Sequence, residues 1–138
     1  MLGEGDRLPD VTLQDDQGAE VSTTDLLGAP LVLYFYPKDD TPGCTSEASQ
    51  FRDRYGEFEK KNARIVGVSR DSVESHQRFK QKFSIPFPLL ADTESKLYKA
   101  LGVNARSTFL IDGDGRILKV WPKVNVEEHA DEVLASLP

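Results

Sequence analysis

Leu31-Val-Leu-Tyr-Phe-Tyr36, closed by Pro37 and followed by Thr41-Pro42-Gly43-Cys44, is the stretch on which the reading of this chain turns. Its first six residues are continuously apolar or aromatic, as expected of a strand covered on both faces. Beyond the loop, Cys44, Ala48, Phe51, Tyr55 and Phe58 recur at helical spacing and share one face. A buried strand followed by an amphipathic helix is the opening of a βαβ unit.

Working outward, Arg64-Ile-Val-Gly-Val-Ser69 reads as the next buried strand. Asp71 with Glu74 has the form of a capping box, opening a helix that presents Val73, His76, Phe79 and Phe83 on one side. Pro86 and Pro88 enforce an extended stretch through Leu90. Asp92 or Thr93 caps a short helix that Gly102 closes in the left-handed conformation. Arg106 to Ile111 and Arg116 to Val120 flank Asp112-Gly-Asp-Gly115, a hairpin signal that lacks the third acidic position and closing glutamate of a calcium loop. Trp121-Pro122 ends the last strand. Asn125 with Glu128 opens a final helix whose apolar face is Val126, Ala130, Val133, Leu134 and Leu137. A weaker alternation at Val11–Leu13 and Glu20–Val21 predicts a small N-terminal hairpin. The expected architecture is α/β, a thioredoxin-like fold with one mixed central sheet and helices on both faces, forming one domain over residues 1–138.

The net charge is −6 and Lys and Arg form no block, which argues against nucleic-acid partners and against anionic membrane surfaces. No apolar run approaches the ~20 residues of a membrane span. The segment Met1-Leu-Gly-Glu-Gly-Asp6 lacks the pattern of a secretory signal, so a cytoplasmic location is expected. One cysteine excludes an internal disulfide, a Cys-x-x-Cys pair and a cysteine-rich zinc site; with only two histidines besides, neither a metal nor a cofactor is expected.

Cys44 is therefore the residue to explain. Thr41 suits the N-cap and Pro42 the first helical position, which makes Cys44 the third helical residue. A sulfur there lies among backbone N–H groups without intrahelical partners, and these donors with the helix dipole favour a thiolate. Gly43 leaves its amide open to a small substrate, and the Thr41 hydroxyl is within local reach. Asp39, Asp40 and Glu47 oppose ionisation, so a cation has to offset them. The competing reading is a small buried hydrophobe, the usual fate of a free cysteine. A Cys–His dyad with His76 is set aside because nothing in the sequence brings that helix-edge residue to Cys44; His129 reads as an exposed position on the last helix.

Tyr34-Phe-Tyr-Pro-Lys-Asp-Asp-Thr-Pro-Gly-Cys44 resembles the peroxiredoxins, and among them the bacterioferritin-comigratory-protein group, also called peroxiredoxin Q. The family's Pro-x-x-x-Thr-x-x-Cys signature is matched by Pro37, Thr41 and Cys44. Gly102-Val-Asn-Ala-Arg-Ser-Thr-Phe-Leu-Ile-Asp112 is similar to the segment that supplies the family's active-site arginine, here Arg106. Further likeness runs through Gly5-Asp6, Pro9, Gly67-Val-Ser69 and Phe87-Pro-Leu-Leu-Ala-Asp92, nearly the whole chain.

The resemblance implies a thiol-dependent peroxidase of hydrogen peroxide and small organic hydroperoxides. Cys44 would be the peroxidatic nucleophile passing through sulfenic acid, Arg106 the cation, Thr41 the residue orienting the peroxide, Pro37 a shield and Glu47 a support for Arg106. Many relatives carry a resolving cysteine where this chain has Ser49. Either the enzyme naturally uses one cysteine, or Ser49 is a Cys→Ser replacement. In both cases an external thiol such as thioredoxin, glutaredoxin or a low-molecular-weight thiol is the expected reductant, and a monomer the expected state. On a helix, positions 44 and 49 lie roughly 8–9 Å apart, beyond the ~7 Å reach of a disulfide. A different class of function, an oxidation-activated sensor or holdase on the same fold, is compatible with the fold alone; a thiol–disulfide oxidoreductase fails for want of a second cysteine.

Overall fold

The computed structural model describes residues 1–138. Seven strands form one mixed sheet: β1 (Thr12–Asp15), β2 (Glu20–Ser22), β3 (Leu31–Phe35), β4 (Arg64–Ser69), β5 (Leu89–Ala91), β6 (Ser107–Ile111) and β7 (Ile117–Trp121), in the spatial order β2-β1-β5-β4-β3-β6-β7. β3, β4 and β5 run parallel, whereas β6 and β7 continue one side antiparallel and β1 and β2 the other. The N-terminal hairpin thus extends the main sheet through β5 rather than standing apart.

All five residues of β3 are buried, and their side chains alternate between two cores. Val32 and Tyr34, with Tyr36 beyond the strand end, join a core that holds Ala48, Phe51, Phe58, Phe79, Ala130 and Val133; Leu31, Leu33 and Phe35 join the other, with Leu97, Tyr98 and Leu101. Helices α1 (Pro42–Asp53), α2 (Tyr55–Lys60), α3 (Val73–Phe83) and α5 (His129–Ala135) supply the first core, and α4 (Lys96–Leu101) the second. This two-sided covering is why β3 reads as an unbroken apolar run. No helix is long and apolar enough to cross a membrane.

Several helix ends differ from the sequence expectation. The apolar pattern from Cys44 to Phe58 is divided at Arg54, whose backbone leaves the helical region (φ −101°, ψ 3°) while its side chain binds Asp131 on α5. Phe51 and Phe58 still meet, with ring centroids 5.9 Å apart. Ser72, not Asp71, caps α3 by accepting the Ser75 amide. Asp71 is drawn away by two other donors, the Asp39 amide and the Ser69 hydroxyl. Ser95 holds the N-cap position of α4, yet Asp92 accepts the Leu97 and Tyr98 amides from upstream and so serves that helix start from a distance. Gly102 closes α4 with φ 74°. Asn125 caps a short 3-10 turn, Val126–Glu128, ahead of α5.

Gly67 on β4 faces Tyr34 on β3, and a Cβ there would lie 2.9 Å from both Tyr34 Cζ and Leu89 Cδ2. Backbone-anchored rings cannot yield without repacking. Gly67→Ala is expected to lower stability by about 1–3 kcal/mol, read as a lower urea midpoint; an unchanged midpoint would contradict this packing.

Candidate active site

The site is assembled where β3 ends and α1 begins. Thr41 has the extended backbone of an N-cap (φ −97°, ψ 156°), Pro42 opens α1, and Cys44 is its third residue. The amides of Gly43 and Cys44 donate to no protein acceptor; the first helical bond is Thr45 N–H to the Thr41 carbonyl. Free donors therefore surround the sulfur, as the local sequence requires. The Thr41 hydroxyl makes no cap bond and donates instead to the Lys38 carbonyl at 2.9 Å. Its acceptor lone pairs are left unused by the protein.

Arg106 arrives from the other side of β3. The antiparallel register sets Phe35 opposite Ser107, which brings residue 106 level with Tyr36 at the mouth of the loop. Its guanidinium spans two partners: Nη2 donates to Cys44 Sγ at 3.3 Å and Nη1 to Glu47 Oε1 at 2.7 Å. Glu47 lies one helical turn after Cys44, which places both acceptors on the same side of α1. Gly43 makes this fit possible, because a Cβ on it would lie 3.1 Å from Arg106 Nη2. The expected opening beside Gly43 is thus occupied by the guanidinium.

Glu47 is 1% exposed, and Oε2 has no hydrogen-bond partner. Burial pushes its carboxyl up to about 7, although the charge and hydrogen bond of Arg106 pull the other way. A proton on Oε2 would break no bond. For Arg106, burial opposes the charged form, but Glu47 and the Cys44 sulfur outweigh it and the guanidinium is held more firmly protonated.

The two histidines occupy quite different places from Cys44's side. His129 is buried, not exposed as its sequence position suggested: Nε2 meets Thr108 Oγ1 at 2.7 Å and its ring packs edge-on against Phe51 and Trp121. Burial first and the Arg106 charge second lower it to about 4, so the ring stays neutral at physiological pH. His76 is also fully buried and pairs with Asp39 rather than with Cys44. Its Nε2 faces the Leu90 carbonyl at 2.9 Å and its Nδ1 faces Asp39 Oδ2 at 2.7 Å. Both neighbours, the Asp39 carboxylate and the Leu90 carbonyl, can accept, which favours the protonated ring. Asp39 also accepts from the Tyr36 and Ser75 hydroxyls. This network ties the loop before Thr41 to α3. Nothing in residue spacing announced it, because its members lie on separate elements; a buried Asp in a loop between apolar segments is the one trace it leaves in the sequence.

Pro37 and Arg106 both line a small cavity beside the site. Ser49, half-buried on α1, makes no bond to Cys44.

Residues 4–120 match the AhpC/TSA family. The chain is 47% identical to Bacillus subtilis peroxiredoxin Bcp, over 96% of this chain and 93% of that protein. The chain belongs to the peroxiredoxins. A solved structure of the Xanthomonas campestris bacterioferritin comigratory protein, described for its alkyl peroxide reduction activity, is 41% identical over 92% of this chain and 89% of that one, with a TM-score of 0.89. A yeast mitochondrial 1-Cys peroxiredoxin, described for thiol resolution through the glutathione and thioredoxin systems, is 25% identical over 96% of this chain and 75% of that one, with a TM-score of 0.85. The mixed sheet is the peroxiredoxin form of the thioredoxin-like fold, and the protein is a thiol-dependent peroxidase of the bacterioferritin-comigratory-protein and peroxiredoxin Q group.

The Asp39–His76 pair makes stability depend on pH. Burial works against the charged ring, but the bond and charge of Asp39, aided by the Leu90 carbonyl, raise its pKa above the ordinary 6.5. A raised folded value gives stabilisation that is complete below pH 6.5 and fades as pH climbs through the folded value. The stability gap between the parent and His76→Gln, measured by urea unfolding, should be widest in mildly acidic buffer and narrow above neutrality. A gap that widens with pH would contradict the pairing.

Proposed function

We propose that Cys44 is the peroxidatic nucleophile and that Arg106 and the first-turn amides of α1 hold its thiolate. The thiolate attacks the terminal oxygen of a hydroperoxide; an S–O bond forms and the O–O bond breaks. The departing oxygen takes up a proton and leaves as water or an alcohol, and the sulfur remains as sulfenic acid. Arg106 and the free amides lie where negative charge passes from sulfur to oxygen, the setting in which fixed donors lower a barrier most. Thr41 would orient the peroxide by accepting a hydrogen bond from its O–H group, Pro37 would shield the sulfur, and Glu47 would fix the guanidinium.

Hydrogen peroxide and small organic hydroperoxides are the substrates of this reading. With no second cysteine, the sulfenic acid is reset from outside: one thiol condenses with it to a mixed disulfide and water, and a second thiol releases Cys44. The comparison with the yeast 1-Cys protein, described for that kind of resolution, supports this route. Since Cys44 is 1% exposed, a bulky thiol does not reach the sulfur in this conformation. Among large apolar residues only Met1 and Leu118 are exposed, which supports a monomer.

The observation that carries the reading is the 3.3 Å contact between Arg106 Nη2 and Cys44 Sγ. Stopped-flow mixing with hydrogen peroxide tests it. Cys44→Ala should show no peroxide consumption with a thiol donor present. Arg106→Ala should react more than tenfold slower, a loss of at least ~1.4 kcal/mol in the transition state. Consumption that survives in Cys44→Ala, or an Arg106→Ala rate equal to the parent, would overturn it.

A further inference from the structure

Against Arg106 and Pro37 lies a small half-open cavity of about 90 Å³, which Cys44 itself does not line. Pro37 and Arg106 give it a boundary with the site just described, Tyr36, Tyr98 and Ala105 give it apolar surface, and Arg70 gives it a second guanidinium. Hydrogen peroxide needs none of this room. An organic hydroperoxide does, because its carbon substituent must go somewhere once its O–O group is at the sulfur.

The two cations that line the cavity differ in their state of compensation. Arg106 is paired with Glu47. Arg70 has no carboxylate within ion-pair distance, although the chain as a whole carries a charge of −6. It is nevertheless held in place: its guanidinium carbon sits 3.9 Å from the centroid of the Tyr98 ring, and Nε donates to Ser95 Oγ at 2.7 Å. Tyr98 is fixed in turn by hydrogen bonds from its hydroxyl to the Tyr36 and Val68 carbonyls. The carboxylates whose charge reaches Tyr98 are Asp92 and Asp71. Both are already engaged, Asp92 by the Leu97 and Tyr98 amides and Asp71 by the Asp39 amide and Ser69. A stacked, oriented and uncompensated guanidinium beside apolar walls is suited to a carboxylate on a short carbon frame.

We propose that this cavity is a subsite for the organic part of a short hydroperoxide acid, with Arg70 receiving its carboxylate. The proposal rests on the reading of Cys44 as the peroxidatic residue and adds the substrate class. Arg70 and Arg106 line the same small cavity, so the frame joining carboxylate to O–O group spans only a few atoms. The hydroperoxide of a long fatty acid, whose carboxylate lies many carbons from the O–O group, cannot place both ends at once.

A matched pair of probes tests it: tert-butyl hydroperoxide, and 2-hydroperoxy-2-methylpropanoate, in which one methyl is replaced by carboxylate. Second-order rates with both, and with hydrogen peroxide, are measured by stopped flow in the parent, Arg70→Gln and Arg70→Lys. The quantity read is the acid-to-neutral rate ratio within each protein, so a general loss of activity cancels. The ratio should fall at least fivefold in Arg70→Gln, recover partly in Arg70→Lys, and fall in the parent as salt is raised. A parent that consumes hydrogen peroxide but prefers the neutral probe, or a ratio unmoved by Arg70→Gln, would overturn the subsite and leave the peroxidase reading standing. A parent inert to all three peroxides would overturn the reading beneath it.

Discussion

The guanidinium of Arg106, forked between the Cys44 sulfur and the Glu47 carboxylate, is the constraint around which the rest of the molecule is arranged. Three independent pieces of structure meet there. The β3–β6 register carries Arg106 to the end of β3, Pro42 starts α1 so that Cys44 falls in its first turn, and the helical period sets Glu47 one turn further on. Gly43 supplies the clearance. Burying a cation and an anion together is costly unless geometry and hydrogen bonds are good. Here the carboxyl shows that cost directly: even beside Arg106 it is pushed up to about 7.

Acidic groups crowd the segment around Cys44, and negative charge beside a thiolate would work against it. The fold deals with each carboxylate separately. Asp39 is turned into the network of His76, Tyr36 and Ser75; Asp40 pairs with Lys82; Glu47 is bound by Arg106. The outcome is a loop whose acidic side chains anchor it to α3, followed by a helix whose Glu47 anchors Arg106. Arg106 remains the one cation whose donor reaches the sulfur.

What could be read from the chain was mostly local. Thr41, Pro42 and Cys44 are consecutive or nearly so, and their places at a helix start follow from backbone chemistry without knowledge of the rest of the fold. The buried strands were legible because two-sided burial leaves an uninterrupted apolar run. The histidines were not. His129 looks solvent-facing on a short C-terminal helix, and only the neighbouring Thr108, Phe51 and Trp121 enclose it. His76 was legible as a helix-face residue, but its charge depends on Asp39 and the Leu90 carbonyl, both distant in sequence. Capping failed at Asp71 for a related reason, since donors from Asp39 and Ser69 captured the carboxylate. Local signals hold until a tertiary partner competes for the same atom.

The claim at the centre is that Glu47 acts on the sulfur through Arg106. A double-mutant cycle on the hydrogen peroxide reaction rate, using Arg106→Ala and Glu47→Ala, which removes the acceptor of Arg106 Nη1, tests it most directly. The account predicts that Glu47→Ala slows the parent markedly but changes the Arg106→Ala protein little. Equal slowing in both backgrounds would mean that the two residues act independently, and the forked guanidinium would not be what holds the site together.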